Sequence, residues 1–204
     1  MPDNETWRLF VAIFPPAQIQ QRLAEAARAV DTGLSPKAVA WTRQEQIHLT
    51  LNFLGNVECS RVNEFARTIG ETCLRTAPHF LQAQGIGCFP SASRPQIIWA
   101  GLAGAGAVLQ ELKKWLDESL ATLGYLPETR PFHPHLTIGR VKQLKTSDRR
   151  PFAATLRQWR EKEFGSWTAE RIDLMRSMLS PTGANYSLVQ SFVLKPTANA
   201  SKPR

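Results

Sequence analysis

The sequence that decides the fold reads, at residues 47–55, Ile47-His48-Leu49-Thr50-Leu51-Asn52-Phe53-Leu54-Gly55. Apolar and polar side chains alternate along it up to a glycine, which predicts a β-strand followed by a turn. Side chains at positions i and i+2 of a strand lie on the same face. We therefore predict that His48 and Thr50 share one face of this strand, while Leu49 and Leu51 point into the core.

The same His-x-Thr pattern returns later in the chain, within Phe132-His133-Pro134-His135-Leu136-Thr137-Ile138-Gly139-Arg140. His135 and Thr137 are predicted to share a face, as His48 and Thr50 do. A single His-x-Thr is commonly a structural histidine on a half-exposed strand. This chain, however, has only four histidines, and two of them occupy corresponding places in two similar halves. If the halves pack about a pseudo-two-fold axis, the two imidazoles meet across a cleft.

The segments around the motifs follow one order in both halves: strand, helix, then a strand that carries the motif. Hydrophobic periodicity predicts strands at residues 8–14, 39–42, 47–54, 80–89, 96–103, 135–141, 171–180 and 186–194. It predicts helices at residues 17–30, 107–123 and 152–163, and another that runs from Ser60, as N-cap, to Cys73. Residues 142–150 are predicted to form a basic loop. Single helices between strands indicate an α+β fold with helices on one side of each sheet.

Composition limits the class of protein and its partners. The chain has 204 residues, is 43% hydrophobic and carries a net charge of +8, which predicts a globular fold with a substantial core and favours an anionic partner. Three cysteines without a C-x-x-C pair argue against a disulfide framework or a zinc ribbon. No signal peptide or membrane span is predicted. We expect a cytoplasmic protein that does not bind a membrane and has no obligate protein partner. We expect one bilobal domain at residues 1–196 and a disordered basic tail at 197–204.

Paired imidazoles suit acid–base chemistry at a phosphodiester. An imidazole titrates near pH 6.5, so a neutral ring can take a proton from water while a charged ring gives one to a leaving alkoxide. Thr50 and Thr137 can donate hydrogen bonds to non-bridging phosphate oxygens, and Arg140 can add a charge-assisted contact. The target that fits is a phosphodiester with a good internal leaving group, such as a cyclic phosphate. We expect that no metal or other cofactor is required.

The two motif stretches resemble the paired signatures of the 2H phosphoesterases, most closely the bacterial RNA 2′,3′-cyclic phosphodiesterases, also called LigT-like proteins or 2′-5′ RNA ligases. The resemblance runs from about residue 7 to about residue 194, and its further parts are residues 8–13, Trp41, residues 95–101 and residues 179–186. It implies a bilobal fold in which two antiparallel sheets flank a central cleft, with the helices outside. It also implies metal-independent hydrolysis of the 2′,3′-cyclic phosphate of an RNA end or nucleotide to a 2′-phosphate.

The resemblance also implies roles for individual residues. By analogy His48 protonates the departing O3′ and His135 activates water, although spacing alone does not assign the two roles. Thr50, Thr137 and, less directly, Arg140 are carried over as phosphate contacts.

Some residues keep more than one interpretation. His133 departs from the motif and adds a second imidazole on the face of His135; it tunes the His135 pKa, contacts the substrate or, as we favour, faces solvent. A two-histidine metal chelate there is disfavoured because neither motif stretch, residues 47–55 or residues 132–140, contains an acidic residue. Phe53 is the better candidate for stacking on a base, whereas Trp99 and Trp115 are interpreted as packing. The basic loop is either a solvated loop or a track for an RNA backbone.

Two other functions fit the same residues. A 2′-5′ RNA ligase would run the reverse chemistry through the same side chains. A nucleotide- or RNA-binding module would keep the cleft without turnover, although the presence of both motif histidines argues against a decayed site.

Overall fold

Nine strands and four helices make up the part of the chain that the structure describes. The structure is a computed structural model that describes residues 5–104, 106–181 and 183–195. The strands are β1 (Thr6–Ile13), β2 (Val39–Trp41), β3 (Leu49–Glu58), β4 (His79–Phe89), β5 (Ile97–Ala103), β6 (His135–Val141), β7 (Glu163–Ala169), β8 (Arg171–Ser180) and β9 (Gly183–Val193). The helices are α1 (Ala17–Asp31), α2 (Val62–Cys73), α3 (Gly106–Ala121) and α4 (Thr146–Gln158). The strands pair antiparallel, so the predicted α+β class is confirmed.

The sheet consists of two groups of strands that meet at a single residue pair. One group has the order β7-β4-β5-β6, with β2 also on β6, and the other has the order β3-β1-β8-β9. The groups join through β3 and β6, where Leu49 pairs with Leu136. Each of these leucines lies between the histidine and the threonine of a motif. The junction of the two groups therefore brings the motifs side by side.

The two groups share chain segments. β8 and β9 come last in sequence but extend the group that begins with β1, because β8 pairs with β1. The helices are exchanged as well: α1 follows β1 yet packs on β6 and β7, and α3 follows β5 yet packs on α2 and β3. Each half of the chain thus supplies a helix that covers the other group.

The core lies between these helices and one face of the sheet. Leu49, Leu136 and Ile138 are all at most 1% exposed and belong to one buried cluster with helix residues such as Leu23 and Leu116. This burial fixes which strand residues point away from the helices. The motif histidines and threonines alternate with the buried residues and so lie on the opposite, open face.

Two boundaries near the first motif differ from the prediction. The predicted turn at Gly55 is wrong, because β3 continues to Glu58 and Gly55 instead adopts a φ of 71° beside an irregularity in the pairing with β1. Ser60 is not the N-cap of α2: it lies in a short 3-10 turn, and Arg61 takes that position.

The predicted basic loop at 142–150 is only partly a loop, because α4 begins at Thr146. Asp148 makes this early start possible: its carboxylate accepts hydrogen bonds from the Lys145 N–H and from the N–H and hydroxyl of Ser35. Strand β7 was missed, because Gly165, at a φ of 121°, interrupts its alternation.

The predicted tail at 197–204 lies outside the described residues. Among the helices of the described ranges, none is long and apolar enough to cross a membrane.

Candidate active site

The two motifs form a square of two imidazoles and two hydroxyls at the junction of the strand groups. Because Leu49 pairs with Leu136, the antiparallel register places His48 level with Thr137, and Thr50 level with His135. Side chains directly opposite each other in such a register have Cβ atoms about 4.5–5.5 Å apart, and diagonal neighbours about 7–8 Å. Each histidine therefore faces the threonine of the other motif, and the two histidines stand on a diagonal.

Each motif imidazole is held by the carbonyl of the residue two positions earlier. His48 Nδ1 lies 2.6 Å from the oxygen of Gln46, and His135 Nδ1 lies 2.7 Å from the oxygen of His133. A carbonyl oxygen only accepts, so Nδ1 carries the hydrogen in both rings. Nε2 is left for the cleft, where it accepts a proton when the ring is neutral and donates one when the ring is charged.

Three aromatic rings enclose His48. Its ring centroid lies 5.0 Å from that of Phe10, 5.2 Å from Phe14 and 5.5 Å from Tyr186, the last edge-on. These rings limit the freedom of the imidazole and remove water from around it. Sequence reasoning missed them, because a phenylalanine in a β-rich run is as typical of the core as of a site.

His135 has one close aromatic neighbour, Phe89, which itself packs against Trp99. Phe89 stands edge-on to His135 at 5.1 Å and lies 5.1 Å from Trp99. Trp99 pairs with Thr137 across β5 and β6, but its ring leans the other way, over Gly87. A Cβ at Gly87 would come within 2.3 Å of that ring. Because Gly87 has no side chain, the Trp99 indole can lie over β4 at this position.

Both motif histidines have lowered pKa values. The pKa of His48 is lowered to about 4, chiefly by burial and in smaller part by the charges of His135 and Arg140, against the hydrogen bond to Gln46. Burial also lowers the pKa of His135, again against its backbone hydrogen bond, and His133 and Arg140 add to the lowering. Because the charge of His135 acts on His48 and that of Arg140 acts on both rings, the three groups share one electrostatic environment. Near pH 7 both rings are mainly neutral in the free site.

A β-bulge follows the threonine in each motif strand. In β3, Ala12 pairs with Thr50 and Val11 with Asn52, which leaves Leu51 as the extra residue. Leu51 and Asn52 are consecutive and both buried, at 3% and 1% exposed. After the bulge, Phe53 therefore returns to the open face, where its ring is 50% exposed.

The bulge in β6 has the same effect on Arg140. Trp99 pairs with Thr137 and Ile98 with Gly139, so Ile138 is the extra residue. In a regular strand, the side chain five residues after the motif histidine would point into the core. The bulge shifts the alternation by one residue, so the exposed Arg140 lies on the same face as Thr137. Arg140 and Phe53 thus occupy equivalent positions in the two strands. Nothing in the sequence marks these bulges.

The remaining histidines lie at the edge of the site or outside it. His133 is exposed beside Phe89, with 6.3 Å between ring centroids, and its carbonyl rather than its ring holds His135. His79 lies at the start of β4, where it is 8% exposed and paired with Ala169. Across residues 5–104, 106–181 and 183–195, no group of three or more His, Cys, Asp or Glu side chains is arranged to hold a metal ion.

Comparison with protein families identifies the chain. A family model described as LigT-like phosphoesterase matches residues 13–99 and 103–186, and both motifs lie in the matched ranges. The chain belongs to the LigT-like phosphoesterase family. The resemblance drawn from the two motifs, and with it the predicted class of enzyme, is confirmed.

Relatives of this LigT-like phosphoesterase match it over nearly its whole length. It is 30% identical to a protein of Aquifex aeolicus named RNA 2′,3′-cyclic phosphodiesterase, over 92% of this chain and 97% of the relative. A protein of Methanocaldococcus jannaschii with the same name is 30% identical, over 91% of this chain and 99% of the relative.

Solved structures share the fold of this LigT-like phosphoesterase. A protein of Thermus thermophilus aligns with a TM-score of 0.75 and 26% identity, over 92% of this chain and 98% of that one. LigT of E. coli, in a complex with 3′-AMP, aligns with a TM-score of 0.72 and 23% identity, over 93% and 99% of the two chains. At that identity, the E. coli structure bears on the fold alone.

Proposed function

We propose that the bilobal domain predicted at residues 1–196 hydrolyses the 2′,3′-cyclic phosphate of an RNA end or nucleotide to a 2′-phosphate. The observation that carries this proposal is the square of two imidazoles and two hydroxyls on the open face, in which Nδ1 of each ring is bonded to a carbonyl and Nε2 is the nitrogen left for chemistry. Relatives named RNA 2′,3′-cyclic phosphodiesterase, alike over nearly the whole chain, support the choice of substrate.

In the proposed reaction, water attacks phosphorus on the side opposite the departing O3′. One imidazole takes a proton from the water at Nε2, and the new P–O bond forms as the P–O3′ bond breaks. The other imidazole gives its Nε2 proton to O3′, so the products are a 2′-phosphate and a free 3′-hydroxyl. The diagonal placement of the two rings suits such an in-line displacement.

The phosphate is held by groups that neither take nor give a proton. The Thr50 and Thr137 hydroxyls donate hydrogen bonds to the non-bridging oxygens, and each threonine lies opposite the other motif's histidine. Arg140 adds positive charge from the side of the second motif. These contacts stabilise charge that develops in the transition state without a cofactor.

The imidazole that acts as the acid has to become protonated when the substrate binds. By analogy we assign the acid role to His48 and the base role to His135. With a pKa of about 4, His48 is neutral near pH 7 in the free site. An anionic phosphate bound between the rings raises the pKa of both imidazoles, because it replaces repulsion from Arg140 with attraction. Binding of the substrate thus favours the protonated form of the imidazole that acts as the acid.

The two sides of the site differ, and this difference orients the bound substrate. Phe53 and Arg140 occupy equivalent positions after the two bulges, one apolar and half exposed, the other charged. We assign the base of the reacting nucleotide to Phe53, because an exposed aromatic ring next to the cleft offers a stacking surface. The side of Arg140 is then left for phosphate.

The direct test is incubation with 2′,3′-cyclic AMP in the presence of EDTA, with the product identified by chromatography against 2′-AMP and 3′-AMP. We expect 2′-AMP at a rate that EDTA does not change. Formation of 3′-AMP, or loss of turnover on chelation, would contradict the proposed mechanism. Tight binding of 2′-AMP without any turnover would favour the binding module instead.

A further inference from the structure

One edge of the open face is strongly basic. We call it the basic rim and define it as Arg94, Arg140, Lys142 and Arg149, all exposed. Arg140 reaches this face through the bulge, and Lys142 follows two residues later. Arg149 Nη1 donates a hydrogen bond of 3.0 Å to the carbonyl of Ser93, one residue before Arg94. The Val141 N–H also donates a hydrogen bond of 2.9 Å to the carbonyl of Gln96. The segments that carry the rim residues therefore adjoin one another between the end of β6 and the start of α4.

Basic side chains lie at the start of α4, although the helix dipole makes positive charge unfavourable at that end. Lys145 is the N-cap residue, and Arg149 and Arg150 follow within the first five helical residues. The N-terminus of a helix carries partial positive charge, so these side chains oppose the dipole. Asp148 is buried and bonded to Lys145 and Ser35, which leaves the outer surface cationic. Charges placed against the helix dipole are typical of a surface that has a function.

The other edges of the open face carry more acidic side chains. The edge where β1 begins and β3 ends has Glu5 and Glu58 beside Arg8, and Glu5 pairs with Arg176 at 3.5 Å. The groove beyond Phe14 includes in its lining three carboxylates and one guanidinium, those of Glu45, Glu170, Asp173 and Arg171. The carboxylates of the first edge are balanced by Arg8 and Arg176, and the second edge has more carboxylates than guanidiniums. A polyanion that leaves the active site is therefore attracted most strongly at the basic rim.

We propose that the basic rim binds the backbone phosphates of the RNA strand 5′ to the reacting nucleotide. The preferred substrate is then an oligonucleotide end rather than a free nucleotide. This inference rests on the proposed function and names its substrate class. The rim contacts phosphates and reads no bases, since its side chains are cationic and separate from the stacking surface at Phe53. It accounts for the charge of the loop and the start of α4, which the chemistry at the two histidines does not use.

The test compares two substrates that end in the same cyclic nucleotide, 2′,3′-cyclic AMP and a six-residue RNA ending in a 2′,3′-cyclic adenosine phosphate. The rim variant replaces Arg94, Lys142 and Arg149 with glutamine and leaves Arg140 in place. Each lost phosphate contact lowers the salt dependence of single-strand binding by about 0.7 in the log–log slope, so the slope for the RNA should become shallower by about 2.

This change in slope predicts how the two proteins respond to salt. When the salt is lowered from about 200 mM to about 50 mM, the advantage of the wild type over the rim variant in kcat/KM for the RNA should grow about 20-fold. Turnover of 2′,3′-cyclic AMP by the rim variant should stay at the wild-type value.

A matched control removes the same charge from the helix layer on the other face. It replaces Arg28, Arg67 and Lys114, all exposed, with glutamine, and we expect it to keep the wild-type kcat/KM for both substrates. Because Arg149 also anchors the loop at Ser93, the double variant R94Q/K142Q repeats the measurement with this anchor intact.

Three outcomes would overturn the inference: an unchanged kcat/KM for the RNA in the rim variants, an equal loss on both substrates, or an equal loss in the control. Fluorescence anisotropy of a labelled RNA ending in a 2′-phosphate gives a second readout that needs no turnover. If the wild type fails to hydrolyse 2′,3′-cyclic AMP, the proposed function fails. The rim is then judged by whether the rim variants bind this RNA more weakly than the control does.

Discussion

A histidine whose Nδ1 is already committed to a carbonyl exchanges protons only through Nε2. His48 and His135 share this condition, with Nδ1 distances of 2.6 Å and 2.7 Å to Gln46 and His133. The carbonyl is a backbone group, so the tautomer depends on the local chain path and on no other side chain. At the scale of single residues, the site therefore depends on two rings in one tautomer, facing one space.

Replacing either ring with alanine removes one proton transfer. We expect His48→Ala and His135→Ala each to lower kcat on 2′,3′-cyclic AMP by about 10²–10⁴. His133→Ala is the control, because its ring is exposed while the carbonyl that holds His135 remains. Steady-state kinetics on the three variants test this. Full activity in either motif variant would contradict paired acid–base catalysis.

The lowered pKa values also set the pH dependence of the free enzyme. Productive encounter needs one ring protonated and the other neutral, so kcat/KM is largest between the two free-site pKa values. The pKa of His48 is about 4 and that of His135 lies below its usual 6.5. We expect kcat/KM to be highest below pH 6.5 and to fall as the pH rises through neutrality, whichever ring is the acid. The kcat profile should lie at higher pH, because bound phosphate raises both pKa values. A kcat/KM optimum at pH 8 would contradict this.

At the scale of strands, the two bulges are what make the motifs into a site with unequal sides. Alternation in the sequence was enough to place His48, Thr50, His135 and Thr137 on one face. It was not enough for Phe53 and Arg140, because a bulge inserts a residue without any residue type that announces it. The same limit applies to β7, where a glycine hides the alternation, and to α4, whose start depends on a buried Asp148 that bonds to a distant Ser35. Contacts local in sequence were predictable, and contacts that join distant segments were not.

The close contact between Gly87 and the Trp99 ring gives a test at this scale. We expect Gly87→Ala to destabilise the protein by about 1–3 kcal/mol, because the new Cβ meets the indole and β4 is too well packed to move freely. Gly106→Ala is the control, since a Cβ there meets nothing within 4 Å. Urea denaturation measures both. We also expect lower kcat/KM in Gly87→Ala, because a displaced Trp99 moves Phe89 away from His135. Equal stability of the two variants would show that the contact is relieved at little cost.

At the scale of the whole molecule, the exchange of helices ties the two strand groups together. α1 starts beside β1 and covers β6 and β7, while α3 starts beside β5 and covers α2 and β3. Neither group completes its core from its own half of the chain. The order of elements along the sequence predicted helices of the right length, but it could not say which strands they cover.

We therefore expect the full chain to unfold in one cooperative transition. Far-UV circular dichroism and tryptophan fluorescence should give coincident urea curves with a single midpoint. The six tryptophans are spread over both halves of the sequence, so fluorescence reports on both strand groups. Two separate midpoints would show that the groups fold independently despite the exchanged helices.

The matched setting of the two rings has a consequence for the choice of nucleophile. In the proposed reaction, the 5′-hydroxyl of a second RNA can replace water without any change of roles, because the same imidazole takes the proton of the nucleophile and the other still protonates O3′. Two imidazoles locked in the same tautomer are ready for either course, and nothing in their backbone anchors prefers one. The balance between opening a cyclic phosphate and joining two RNA ends is then set by how much water and how much alcohol reaches phosphorus, and not by the rings themselves.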